Sequence, residues 1–366
     1  MIASWRQFIA GRAGLLLLGA VSMPLIVIAQ SVDSSAAPPM LAREAPVQSC
    51  RIDPPRPDEA TDPQWVDRLE ALLQSAACRS ARWLDGLLGP PADIGVYRGA
   101  SGAIEPAFLW SQMEGLQPQL RFHADLPLPQ WDQRLHAFLG RFDRDEAVSE
   151  RAEQSGGIPR QFDGIDDEQT LLGLGYSGPP HRAGGWFSSS AGTSVALQPD
   201  PFAKANYNHV WPLPFASVIS TKQTAFWEYR EGFGFTSHLA FDRILQTDSA
   251  GDSQWLLRSS VALNISQDTH GLRGYANSSL YRKLGATRAV ALQIGLDRES
   301  NTQVAIGTFG ALVMYRQSVW RDWLILEVRS SLAWVRDLRT DPRTPDWGGG
   351  CALELLFGGG RPLGAL

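Results

Sequence analysis

After Ala29 the chain has no apolar run long enough for a membrane-spanning helix, which excludes a helical inner-membrane protein. It has only three cysteines and six histidines, and neither set shows the spacing of a zinc site. Basic clusters are also missing. The formal charge is −5, and −7 once Arg6 and Arg12 are removed with the leader, which argues against a nucleic-acid partner. Gly173 and Gly175, and Gly232 and Gly234, form Gly-x-Gly pairs, but they sit in or beside strand-like segments. They mark close packing or bends rather than a phosphate loop. No cofactor and no metal are expected.

What is present begins with a secretory leader over residues 1–29. Arg6 and Arg12 supply the positive region, Gly14 to Ala29 the apolar core, and Val27-Ile28-Ala29 a small-residue cleavage site. The alternative is an uncleaved anchor, but the run is short and Pro24 interrupts it. No cysteine follows the cleavage site, so lipoprotein anchoring is not expected.

From Gln117 to Phe357 short segments alternate in polarity and end in turn residues. Leu120, Phe122, Ala124, Leu126 and Leu128 oppose Gln119, Arg121, His123 and Asp125. Leu324, Leu326, Val328, Leu332 and Trp334 oppose Glu327 and Arg329, and Val290, Leu292, Ile294 and Leu296 oppose Gln293 and Asp297. A period of two puts apolar and polar side chains on opposite faces of a strand. Soluble sandwiches alternate as well, but two features favour lipid. The polar faces carry mid-strand charge at Lys204, Lys222, Glu228, Asp242, Arg258, Arg316, Glu327, Arg329 and Glu354, as a wet or ion-paired lumen allows. Trp131, Trp186, Trp211, Trp255 and Trp320 lie by one set of alternate turns, and Trp110, Trp227, Trp334 and Trp347 by the other. This is the arrangement of two interfacial aromatic belts. The alternative is that these rings fill a soluble core.

The fold class expected is all-β: an antiparallel transmembrane β-barrel of about fourteen strands, with twelve as the rival count, preceded by a short periplasmic helix. The divisions are a leader at 1–29, a linker and helix at 30–92, the barrel at 93–358 and a tail at 359–366. Residues 30–61 are rich in Ala, Ser, Pro and Asp and read as a linker. Thr61 or Asp62 can cap the helix that follows, and Pro63 suits its first position. Trp65, Leu69, Leu72, Ala76, Trp83 and Leu87 recur at helical spacing. This helix is expected on the periplasmic mouth or in the lumen, or as a folding appendage. In an oxidising compartment Cys50 and Cys78 are expected to pair, the alternative being two free thiols. Cys351 shares a face with Trp347, Leu353, Leu355 and Phe357, and reads as lipid-facing. The longest connections, 142–170 and 337–346, are odd-to-even and are expected to face outward.

The segment Gly348 to Phe357 resembles the closing strand of outer-membrane barrels, whose alternate apolar residues and terminal aromatic are recognised by the assembly machinery. Leu353, Leu355 and Phe357 fill those places, although the tail from Gly358 departs from that pattern. More broadly, the chain resembles a family of uncharacterised proteobacterial outer-membrane β-barrel proteins. The similarity lies in segments 78–83, 171–176, 266–272, 315–317, 321–324 and 353–358. The resemblance implies a barrel in the bacterial outer membrane. Its partners would be outer-membrane lipid, lipopolysaccharide and the assembly machinery, with small solutes for an open lumen. It implies no catalytic residues.

A porin-like passive channel, or a structural or surface-interaction protein, follows from these readings. The enzymatic alternative is a barrel-embedded lipid hydrolase. His209 lies near Ser217 and Ser220, but no His-x-Ser-Asn motif is present and a third group to orient the imidazole is not evident. Residues 143–168 carry nine acidic residues against three arginines. They read as a solvated outward loop, with a cation held by Asp163 to Glu168 as the sharper alternative.

Overall fold

A computed structural model describes Cys50 and residues 64–87, 94–130, 134–150, 168–179 and 184–358, apart from 197, 248–252, 268, 270, 286, 301, 337 and 341. The leader, the linker apart from Cys50, and the Asp163–Asp167 stretch lie outside the described residues. Two helices, α1 (Gln64–Gly86) and α2 (Ile94–Tyr97), precede fourteen strands. These are β1 (Ser101–Ser111), β2 (Gly115–Pro127), β3 (Leu135–Asp143), β4 (Glu168–Ser177), β5 (Gly185–Ser194), β6 (Pro201–Leu213), β7 (Ser217–Glu228) and β8 (Gly232–Thr247). They continue as β9 (Ser253–Ser266), β10 (Arg273–Leu284), β11 (Arg288–Glu299), β12 (Ile306–Ser318), β13 (Leu324–Val335) and β14 (Thr344–Phe357).

Each strand pairs antiparallel with its sequence neighbours, and β1 pairs with β14 to close the barrel. Closure leaves no edge, so every strand has a hydrogen-bonded neighbour on both sides. The expected fourteen strands are all present. The register carries the alternation around the wall: Gln293 pairs with Leu312 and Ser279, all three buried, while Leu292 pairs with Val313 and Leu280 on the opposite face. On β11, Leu292 is 49% and Ile294 57% exposed, whereas Gln293 between them is 7% exposed. The apolar set therefore wraps the outside and the polar set faces in. This inverts the arrangement of a soluble protein and marks the wall as one that contacts lipid.

Short turns join β6 to β7 and β10 to β11 at the rim where β1 begins and β14 ends, here the terminal rim. Phe215 and Ala216 in the β6–β7 turn both have positive φ, as does Trp320 in the β12–β13 turn. The opposite, or far, rim carries the two longest connections, β3–β4 and β13–β14, beside short ones at β1–β2 and β7–β8. At the seam, Gly102 has no room for a side chain. A Cβ there would stand 2.1 Å from the His123 carbonyl oxygen and 2.5 Å from the Phe357 ring. Glycine lets the closing aromatic lie flat against the first strand.

Helix α1 sits neither across the mouth nor in the lumen. Its Val66, Ala77, Cys78 and Ala81 pack with Ile104, Ala124, Leu126, Leu324, Leu353, Leu355 and Phe357, all on the outward faces of β1, β2, β13 and β14. The helix thus lies on the outside of the wall at the terminal rim, over the seam. The disulfide between Cys50 and Cys78 is present. Asp67 accepts two hydrogen bonds from Arg321, at 2.8 and 2.7 Å, and Asp85 accepts from the Gln130 backbone at 3.2 Å and from the Tyr97 hydroxyl.

Candidate functional site

All nine charged residues expected on the polar faces lie on the interior side. Most are locked in pairs. Arg258 donates to Asp242 through two nitrogens, at 2.6 and 3.2 Å. Arg316 bridges Glu354 and, at 3.5 Å, Glu327, which also takes Arg329. These pairs tie β8 to β9 and β12 to β13 and β14. Buried ions need such partners, because desolvation would otherwise cost several kcal/mol per ion. Lys204, Lys222 and Glu228 are paired differently, with the connection between β3 and β4.

That connection does not begin as a solvated outward loop. After Asp143 the chain turns into the barrel and makes a short π-helical turn, Asp145–Ser149. Val148 is fully buried among Leu171, Phe202 and Phe226, with Phe138 and Phe142 against the cluster. Arg144 donates to Glu228 at 2.5 Å and lies 2.8 Å from Asp200. The segment ends at Glu150, whose φ of 54° is uncommon for a residue with a side chain. One carboxylate oxygen accepts from Lys204 at 2.7 Å and from Asn206 at 3.1 Å. The other takes Lys222 at 2.7 Å and the Thr224 hydroxyl at 2.9 Å. The neighbouring Ser149 carbonyl accepts from Thr236 at 2.6 Å, and Lys204 also donates to the Ala147 carbonyl. Burial pushes the Glu150 carboxyl up, but the ammonium groups of Lys204 and then Lys222 outweigh it and hold the group below its ordinary 4.5.

The inward turn thus spans β6, β7 and β8 a few residues inside the far rim and narrows the bore there. Sequence reasoning missed it because an acidic loop carries no mark of where its counter-charges stand. Lys204 and Lys222 lie on strands more than fifty residues away. A second interior anchor is Glu168, which accepts from Arg121 at 2.8 Å and from Gln119, and lies 3.2 Å from Arg141.

The aromatic belts need one correction. Trp110, Trp227, Trp334 and Trp347 face outward near the far rim, and Trp211 and Trp255 face outward near the terminal rim. Trp320 is exposed in its turn there. Trp186 faces the interior, because it pairs with inward Asn208, and the outward ring on β5 is Phe187 opposite Tyr207. Trp131 lies outside the described residues. Leu353, Leu355 and Phe357 point outward beneath α1. Cys351 is unpaired and exposed on the outer wall.

His209 and Ser220 do not meet. His209 pairs with Thr221 and packs at a tilt against Trp211 with ring centroids 4.0 Å apart, so Ser220 belongs to the opposite, interior face. Ser217 shares the outward face but lies four residues before Thr221, at the start of β7, and donates to the Phe215 carbonyl. A nucleophile–base contact is therefore absent from this region. Among the described residues no group of His, Cys, Asp and Glu is placed to hold a metal. A concavity of about 690 Å³ lies on the lipid-facing wall, lined by Leu239, Val261, Ser278, Ile294, Phe309 and Trp334 among others.

Fold and interior together define a membrane-spanning β-barrel of the bacterial outer-membrane type. No family model and no curated protein matches the chain. Among solved structures it is similar to a bacterial polysaccharide outer membrane secretin, at 7% identity and TM-score 0.43, covering 71% of this chain and 99% of that one. It is similar also to OprB of Pseudomonas putida, at 8% identity and TM-score 0.43, with 70% and 93% covered. CdiB from Acinetobacter baumannii overlaps it at 7% identity and TM-score 0.44, with 71% and 60% covered. The overlap is one of barrel architecture alone.

Proposed function

We propose that the protein is a porin-like passive conduit for small polar solutes across the outer membrane, narrowed from within by residues 144–150. The terminal rim, with α1, is on the periplasmic side in this reading. The observation that carries it is the Glu150 carboxylate, seated between Lys204 and Lys222 inside a bore lined by polar and ionised groups. Fixed charge of this kind on the bore lining sets which ions and solutes pass. The bore is tight. Interior side chains such as Glu354, Thr224 and Thr236 are 1% exposed, so a small single-channel conductance is expected.

Planar-bilayer recording of the full chain tests this. Small, steady current steps are expected, and deleting residues 145–149 is expected to enlarge them several-fold. Absence of steps from both proteins would leave a sealed structural barrel and overturn the conduit. During folding, before α1 covers them, Leu353, Leu355 and Phe357 would be open to the assembly machinery.

A further inference from the structure

Helix α1 has two apolar faces, and among the described residues only one of them packs against the protein. On the face against the barrel Val66, Ala77, Cys78 and Ala81 are buried, with Leu73 partly buried beside them. The opposite face carries Trp65, Leu69, Leu72, Ala76, Trp83 and Leu87. At about 100° per residue these fall within roughly 60° of arc. Leu72 is 63% and Trp83 66% exposed. Arg68, Arg79 and Arg82 are exposed along one flank of that stripe.

We infer that this stripe lies in the membrane leaflet at the terminal rim, making α1 an in-plane lipid-binding helix clamped to the barrel seam. The continuity of the two surfaces identifies the occupant. The barrel residues under α1 belong to the outward faces of β1, β2, β13 and β14, and those faces continue past the helix as the exposed lipid-facing wall of Phe108, Leu120 and Val328. A helix resting on a lipid-facing wall has lipid on its far side. Its chemistry fits: Trp and Leu on the outward stripe, with guanidinium groups beside it at the level of phosphate headgroups. No described helix is long and apolar enough to cross a membrane, so the stripe is placed to lie flat. Wherever the wall meets lipid, α1 also shields the β1–β14 junction from it. The inference rests on the barrel being membrane-embedded and is independent of whether it conducts.

Site-directed spin labelling of the full oxidised chain in phosphatidylethanolamine–phosphatidylglycerol vesicles tests it. In a Cys351→Ser background, labels are placed at Leu72→Cys, at Arg82→Cys and, on the wall, at Leu292→Cys. Leu69→Cys replaces Leu72→Cys if that variant fails to fold. The Leu72 label is expected to collide with dissolved oxygen and to be protected from a water-soluble nickel complex, as at Leu292, with an oxygen-to-nickel ratio several-fold above that at Arg82. Nickel access at Leu72 matching Arg82 would place the stripe in water and overturn the inference. Protection from both reagents would place a protein partner there and overturn it equally. Nickel access at Leu292 would instead refute membrane embedding itself.

Discussion

Glu150 concentrates the interaction between the inward turn and the wall. Its left-handed backbone costs about 1 kcal/mol for a residue with a Cβ, and is held because both carboxylate oxygens are engaged by groups on β6 and β7. Removing its charge leaves two largely buried ammonium groups without their counter-ion, so Glu150→Gln is expected to destabilise the folded barrel by about 3 kcal/mol. The pH dependence follows from the direction of the shift. The folded carboxyl titrates below its ordinary 4.5, so its stabilisation is complete above that value and is lost as pH falls through the lower folded value. The temperature at which the compact, unheated gel band disappears should therefore fall from pH 7 to pH 3 by more in the native chain than in Glu150→Gln. Equal falls in the two proteins would show that Glu150 contributes nothing to that window.

Strands with a strong apolar face are legible in the sequence, and those without one are less so. β11 and β13 set their own inside and outside, because Leu292 and Ile294, or Leu326 and Val328, admit only one facing. β5 reads Ser188-Ser189-Ser190-Ala191-Gly192-Thr193, with little apolar contrast, and there the sequence misassigns Trp186. Only the pairing with Asn208 on β6 resolves it. Helix α1 misleads for the opposite reason. Its bulky stripe recurs at helical spacing in the sequence, yet the helix approaches the wall through Val66, Ala77, Cys78 and Ala81, whose mostly small side chains permit close contact. The seam under it depends on Gly102. In Gly102→Val the added atoms meet the Phe357 ring and the His123 carbonyl, so a loss of about 2 kcal/mol is expected. A downward shift in the temperature of gel-band conversion checks this, and an unchanged temperature would mean that Phe357 moves aside without cost.

At the scale of the whole molecule, barrel closure is what turns separate alternating segments into an inside and an outside. The alternation, the two rims and the strand count are readable because each is local or nearly so. The inward turn is not, because it depends on strands brought together only when the cylinder closes. The polarity of the wall makes its own prediction at the middle of β11. Ile294 and Gln293 are adjacent, yet one faces lipid and the other the bore. Lysine at Ile294 must reach out of the hydrocarbon, and is expected to cost about 2–4 kcal/mol at mid-bilayer depth. Lysine at Gln293 enters a lining that already holds ions and should cost well under half as much. Urea titration of refolding into phospholipid vesicles, followed by the compact gel band, measures both. If Gln293→Lys proved the more damaging, the greasy surface would be the packed one, and the cylinder would belong in water rather than in a membrane.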